Sequence, residues 1–492
     1  MKDIKDIISR AKAGENVIGE LRSKSVTVRP WSDLRREYDP MLHPVMDRSA
    51  YPDTVLYQDR VSETETDQDG NPKVIKVPVG QEKVSRITYD LQRLAVKRVT
   101  ELCFGIPVKR IYRPEDGNER QEKAAKYLEA IFRRARIDSV NIERSNRLYA
   151  SCEVMTMWYA IKGKTSIYGF ESDFKLRCMT YSPMQGDTLY PLFDDSGDLV
   201  ALSVGYTRRV EDTDVTFFDT YTADTHLRWS NRQDGGGNLA WGLEVSEDIA
   251  IGKIPAVYRW RPSPAWEQSS GLVEEMEWAM SRNGNYLRKN SRPILAAFVS
   301  ESLDFGQAPG ANAAARDVVQ YPAGSSLQYI TWNQAIDNLK FYVSELRSSF
   351  FSQLQLPDWN YEKMSQQALS GESRKQLFID AHLKVKDESG AWLEFFDREV
   401  NVVKAFLKMM LPQEWGVDID ALRVDIQMTP YIIEDRKEDA ELLLLKNGNK
   451  PLMSQKESIR ALGESEDVDA TYEAIREETQ AAGISDALGL AV

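Results

Sequence analysis

Three histidines occur in the chain, His43, His226 and His382, too far apart in sequence to form an HExxH or other local metal motif. None lies near a cysteine that it could activate as a nucleophile, and Cys103, Cys152 and Cys178 lack the CxxC spacing of a zinc or redox site. They read as small, buried apolar thiols in a reducing compartment. Gly163-Lys164-Thr165 follows an apolar run, but a phosphate-binding loop needs a glycine five residues before Gly163, where Trp158 stands. The tripeptide therefore reads as a turn. The stretch from Glu65 to Lys76 brushes a calcium-loop pattern, yet Lys76 occupies the position that requires a bidentate glutamate. Asp69-Gly70-Asn71-Pro72 is better read as the turn of a β-hairpin within residues 54–79. Glu274, Glu275 and Glu277 point in different directions on a helix and read as a solvated face. Asp194, Asp195 and Asp198 are the acids from which a metal-dependent, nucleic-acid-processing site could assemble. With no Gly-x-Ser-x-Gly elbow, glycine-rich dinucleotide loop or tight acidic cluster, the expectation is a protein that is not an enzyme and has no metal or cofactor.

The elements that would position any site are better marked. A chain of 492 residues with 42% hydrophobic content has room for roughly two to four domains with ample cores. A formal net charge of −13 argues against strong binding of nucleic acid through phosphate neutralisation. No apolar run approaches the ~20 residues that cross a bilayer, and the charges within Met1 to Ile8 interrupt any signal-peptide core. Synthesis in the cytosol without membrane insertion is expected.

The most organised stretch runs from Asn333 to Leu411. Ile336, Leu339, Val343, Leu346 and Phe350 recur at alternating steps of three and four, which makes one thin apolar seam on a helix over 333–356. Leu356-Pro357-Asp358 should stop it, because proline removes a donor and pushes the preceding residue out of the helical region. A polar loop follows to Ser370-Gly371, and helical period resumes at Ser373 and carries through Trp392, Phe395, Phe396, Val400 and Met410. A second thin seam, Leu272, Met276, Ala279 and Tyr286, marks a helix from Gly271 that Arg292-Pro293 ends.

Elsewhere, residues 2–13 read as an amphipathic helix, 85–103 as a helix closed by Gly105 and Pro107, and 119–135 as another, with a third from about Ser139 to Ala150. Val154 to Tyr159 reads as a strand buried on both faces, and residues 165–262 as short antiparallel strands between turns. Val424 to Met428 is a further strand, Glu434 to Lys446 a helix, and Ser454-Gln455-Lys456-Glu457 a capping box opening one more. Gly483 to Val492 has no strong period and reads as disordered. The fold class is α+β.

In this order the pieces resemble the portal proteins of tailed double-stranded DNA bacteriophages, of the long-tailed group. The resemblance covers about residues 85–460 and rests on Phe104-Gly105-Ile106-Pro107, the strand from Glu153 to Tyr159, and Gly252-Lys253-Ile254-Pro255. It rests also on Gly271 before an acidic helical turn, Tyr321-Pro322-Ala323-Gly324 leading to Leu327 through Trp332, and Ala368-Leu369-Ser370-Gly371 before the long helix.

The resemblance implies a portal fold: an α/β wing over 1–270, stem helices over 271–292 and 333–356, and a small α/β clip over 293–332. A tunnel loop over 357–372, a long kinked wing helix with a strand over 373–430 and an α-helical crown over 431–492 complete it. It further implies a ring, usually of twelve copies, at one capsid vertex, serving DNA packaging and ejection and binding the terminase large subunit and then head–tail adaptor proteins. The major capsid and scaffold proteins are implied as further partners. Location is expected in the virion, and in the host cytoplasm during assembly. On that template the DNA-facing loop residues are Asn360, Tyr361, Lys363, Met364, Gln366 and Gln367, and the two seams become interfaces between helices and subunits. The clip contributes Phe305, Gln307, Val318, Gln320 and Tyr321 to docking. Double-stranded DNA would be held transiently and without sequence preference. A non-portal head or adaptor protein is the alternative structural reading.

Overall fold

The computed structural model describes residues 4–26, 28–66, 72–233, 239–290, 294–298, 326–330, 336–358, 379–431, 454–462, 465 and 468–487. It is a mixed helix and sheet fold in which one long helix, α9 (Ile379–Met410), forms the spine of the largest core. Its buried face carries Trp392, Phe395, Phe396, Val403 and Leu407. Phe104, the last residue of α4 (Leu91–Phe104), meets Trp392 edge-on at 5.0 Å, a favoured aromatic geometry. Helices α5 (Glu119–Arg134) and α6 (Ile137–Ser151) complete this layer. The third helix thus begins two residues earlier than its sequence pattern suggests, because Arg136 takes the left-handed conformation (φ 52°) and turns the chain at once. Cys152 (φ 65°) makes the corresponding turn out of α6 into a strand.

That strand, β4 (Glu153–Thr165), is the centre of a three-stranded antiparallel sheet with β5 (Ser172–Tyr181) and β11 (Ala256–Trp260). Val154 through Trp158 are buried on both faces, since α6 and α9 lie on one side and the second sheet on the other. Gly163-Lys164-Thr165 is not a turn but the irregular end of β4, where the register with β5 slips. A five-stranded meander, β6 (Thr188–Phe193), β7 (Leu199–Val210), β8 (Thr213–Tyr221), β9 (Thr225–Gln233) and β10 (Leu239–Asp248), packs Val204, Tyr206 and Phe217 toward β4 and β11. Strand alternation sends Phe218 and Trp229 to the opposite face, which α1 (Ile4–Lys12) and α2 (Ile18–Ser23) cover with Ile7, Ile18 and Leu21.

Strands β1 (Thr54–Thr66) and β2 (Pro72–Glu82) form the expected hairpin, and β3 (Lys109–Arg113) pairs with β14 (Arg423–Gln427). Between β11 and β14 stand α7 (Ser270–Asn290), the paired strands β12 (Ile294–Phe298) and β13 (Ser326–Ile330), α8 (Ile336–Gln353) and α10 (Gly416–Ala421). The chain ends in α11 (Gln455–Leu462) and α12 (Val468–Ala487). Ser454 and Glu457 form the reciprocal capping box, at 3.2 Å from the Glu457 amide to Ser454 Oγ and 3.0 Å from the Ser454 amide to Glu457 Oε2. Helix α12 runs on to Ala487, so residues 483–487 are helical despite their weak period. The helix expected over 434–446 lies outside the described residues.

Candidate functional site

Helices α7 and α8 pack against each other. Met276 and Phe350 are buried, while Leu272, Ala279, Tyr286, Leu339, Val343 and Leu346 are half-buried. Ile336 begins α8, and its side chain lies outside the described residues. The Tyr342 hydroxyl donates to Glu275 at 3.1 Å, tying the pair on its outer side. Large apolar side chains nonetheless remain in solvent: Phe341 is 70% exposed, Leu287 49% and Tyr342 43%. Packing within the chain leaves these side chains uncovered.

Helix α7 is also sewn to the chain before α4, a feature the sequence reading missed. Residues 85–90 have no regular secondary structure, and the helix begins only at Leu91. Their backbone amides bond to one stripe of α7: Tyr89 to Glu277 Oε1 at 2.8 Å, Ile87 to Ser281 Oγ at 2.9 Å and Ser85 to Asn285 Oδ1 at 2.5 Å. Arg288 extends the series by donating to the Lys83 carbonyl at 3.0 Å. Alternate residues of a strap thus meet residues four apart on a helix, so the two periods match. Gly284 allows this approach, since a Cβ there would stand 2.9 Å from Ser85 Oγ. Glu277 is 1% exposed and therefore not part of a solvated face, unlike its neighbours Glu274 and Glu275.

Glu277 also accepts from His43. Both His43 nitrogens face acceptors, Nδ1 at 2.7 Å from Glu277 Oε1 and Nε2 at 2.8 Å from the Glu37 carbonyl. An imidazole can donate from both only when protonated. Burial alone would lower the His43 pKa, but the bond and charge of Glu277 outweigh it and the net shift is upward.

A second buried charge centre fixes α9. Glu399 accepts two bonds from Arg144, at 2.7 and 2.9 Å, and one from the Trp158 indole at 3.2 Å. Burial opposes ionisation of Glu399, yet Arg144 and Arg110 hold its pKa below the usual carboxylate value. Its place inside the apolar stripe between Phe396 and Val400 was the available signal. Glu153 contrasts with it: burial pushes its pKa up to about 7, with only the Tyr258 hydroxyl, 2.8 Å away, opposing the shift. Burial raises all three thiols, Cys103 and Cys152 to about 12 and Cys178 to about 11, so none is a reactive nucleophile at neutral pH.

Helix α8 ends before its proline. Gln355 adopts the left-handed conformation (φ 55°), and the Leu356 amide reaches back to the Phe351 carbonyl at 2.9 Å while Gln355 reaches Ser352 at 3.1 Å. This is a Schellman-type close in which Leu356 and Phe351 are both buried in the main core, and Pro357 follows it rather than causing it. Arg347 then grips Asp358 with two bonds, at 2.9 and 3.3 Å. The six loop residues Asn360, Tyr361, Lys363, Met364, Gln366 and Gln367 lie outside the described residues, as do Phe305, Gln307, Val318, Gln320 and Tyr321. Asp194 spends its carboxylate on a turn, accepting from the Ser196 and Asp198 amides at 2.9 and 2.8 Å.

Residues 81–484 match the family model described as phage portal protein, SPP1 Gp6-like. The chain belongs to this portal family. The match begins at Gln81, near the end of β2, and takes in α7, α8, α9 and most of α12. Among curated proteins no sequence matches this portal-family chain. Among solved structures it is similar to a chain in the neck of an empty gene transfer agent particle computed with C6 symmetry, at 12% identity and a TM-score of 0.38 over 75% of this chain and 89% of the other. Two more are a chain of the native gene transfer agent virion (11%, TM-score 0.36, 88% and 93% covered) and one of the native particle neck computed with C12 symmetry (13%, 0.37, 90% and 98%). Among the described residues of this portal protein, no helix is long and apolar enough to cross a membrane.

Proposed function

We propose that the chain is the subunit of a closed ring, twelvefold in the virion, through which double-stranded DNA enters and leaves a capsid at one vertex. The ring docks the terminase large subunit during packaging and head–tail adaptor proteins afterwards, contacts major capsid and scaffold proteins, and hydrolyses nothing itself. Within it α7 and α8 are the stem, 293–332 the clip, 357–372 the tunnel loop, α9 the wing spine and 431–492 the crown. The observation that carries this reading is a family match extending across a helix pair that leaves Leu287, Phe341 and Tyr342 in solvent. A net charge of −13 per copy suits a conduit, since repulsion from phosphate keeps contacts with a sliding duplex brief.

The test is negative-stain imaging of the purified protein together with its solution mass. A ring with a central hole and the mass of roughly a dozen 56.1 kDa chains is expected. A species that remains monomeric, with and without scaffold protein, would overturn the reading.

A further inference from the structure

The hairpin β1–β2 has an unusual position. Its 13-residue first strand is ~40 Å long at about 3.3 Å per residue, yet among the described residues neither strand pairs with any third strand. Among the described side chains of 54–82, none belongs to any of the three apolar cores. Its described side chains include Tyr57 at 59%, Val79 at 58% and Leu56 at 44% exposure. An isolated two-stranded ribbon is marginal in water, and its free edges invite a further strand.

The root of the ribbon is, in contrast, firmly held. Asp53 accepts from the Val84 amide at 3.2 Å and pairs with Arg86 at 2.9 Å, and Arg86 donates to the Tyr51 carbonyl at 2.7 Å. The Tyr51 ring stands edge-on to Trp278 of α7 at 5.0 Å. The strap that follows runs antiparallel to α7, from Lys83 beside Arg288 to Tyr89 beside Glu277. The ribbon therefore leaves the body near the C-terminal end of α7. The α7–α8 pair itself bears exposed Leu287 and Phe341. The exposure of Leu56, Tyr57 and Val79 shows that packing within the chain leaves these ribbon side chains uncovered.

We infer that the β1–β2 ribbon is an arm that docks on a second copy of this chain, continuing the contact surface of α7 and α8 onto the next subunit. An arm on one copy and its seat on the next make a heterologous contact, the kind that closes a ring when repeated. The inference rests on the ring reading and names the element that links its members.

Two variants test it. In the first, a photo-crosslinking phenylalanine analogue replaces Tyr57; in the second, residues 58–78 are replaced by a Gly-Asn turn, with circular dichroism and the melting temperature reporting the fold. Irradiation should join copies into a covalent ladder, and the shortened arm should raise at least tenfold the concentration at which assemblies fall apart on native mass spectrometry. Should the shortened arm fail to fold, the crosslink decides alone. Rings that form without intermolecular crosslinks at position 57 and resist dilution like the wild type would overturn the arm and leave the ring standing. Crosslinked copies that never close would sustain the arm and overturn the ring, and a monomer without crosslinks would overturn both.

Discussion

His43 and Glu277, 234 residues apart in sequence, share a bond of 2.7 Å inside the protein, where the same Glu277 oxygen also receives the Tyr89 amide. One carboxylate thus joins the segment after α3 (Trp31–Tyr38), the strap and α7. Because the His43 pKa is raised above its ordinary 6.5, the stability it contributes is fully present below that value and lost as pH rises through the higher folded pKa. Glu277 and Asp90 act on the ring in the same direction, and the Glu37 carbonyl holds its other nitrogen. The raised Glu153 carboxyl gives a falling stability over an overlapping range, so Glu153→Gln is the background in which to look. In that background the urea midpoint should fall as pH rises above 6.5, and His43→Gln should flatten the fall while lowering the unfolding free energy on the acid side by roughly 3 kcal/mol. Equal slopes with and without His43 would show that the pair does not titrate there.

The Arg144–Glu399 pair leads to a second expectation. Removing one partner of a fully buried pair leaves the other charge unmatched, at a cost of roughly 3–5 kcal/mol. Glu399→Leu should therefore lower the unfolding midpoint sharply, and adding Arg144→Met should restore much of the loss. A double variant as unstable as the single one would mean that Arg110, 3.8 Å from the same carboxylate, is the dominant partner.

These two centres mark where the sequence was and was not legible. Local rules suffice for the capping box at Ser454, the seams of α7 and α8, the long period of α9 and the alternation of β4, since each depends on residues within one or two turns. The strap defeats them: residues 85–90 precede the periodic α4 and extend its pattern, but their conformation is set by side chains about 190 residues later. Glu399 stands inside an apolar stripe and so carried a signal of burial, whereas Glu277 stands among acids and only the folded chain shows it to be a buried acceptor. The stop of α8 fell near its proline, yet the cause is a left-handed glutamine, which no composition rule announces.

Phe341 supplies a prediction about assembly. Its side chain is mostly in solvent, so Phe341→Ser should leave the folding of a single copy within about 0.5 kcal/mol of wild type. In a ring that buries this face, the same change should raise the dissociation concentration by at least tenfold, read by native mass spectrometry across a dilution series. Leu339→Asp with Val343→Asp, on the half-buried side, should go further and prevent rings. Assemblies unaffected by either would place the subunit contact elsewhere on the surface.

In the proposed ring, the loop beyond α8 bears on transport rather than on assembly. Its start is rigidly specified, because the left-handed Gln355, the buried Leu356 and the Arg347–Asp358 grip fix the direction in which the chain leaves the helix. In the proposed ring this fixed exit would aim the segment that follows as a positioned constriction. Deleting residues 360–367 should accordingly leave ring formation and melting temperature unchanged, since it spares both seams and every core described above, while particles built with the variant should package or retain less DNA. The readout is DNA per capsid by quantitative amplification after nuclease treatment. Full genomes in stable particles would show that this loop does not line the DNA path, and a failure to form rings would show that it belongs to the subunit contact instead.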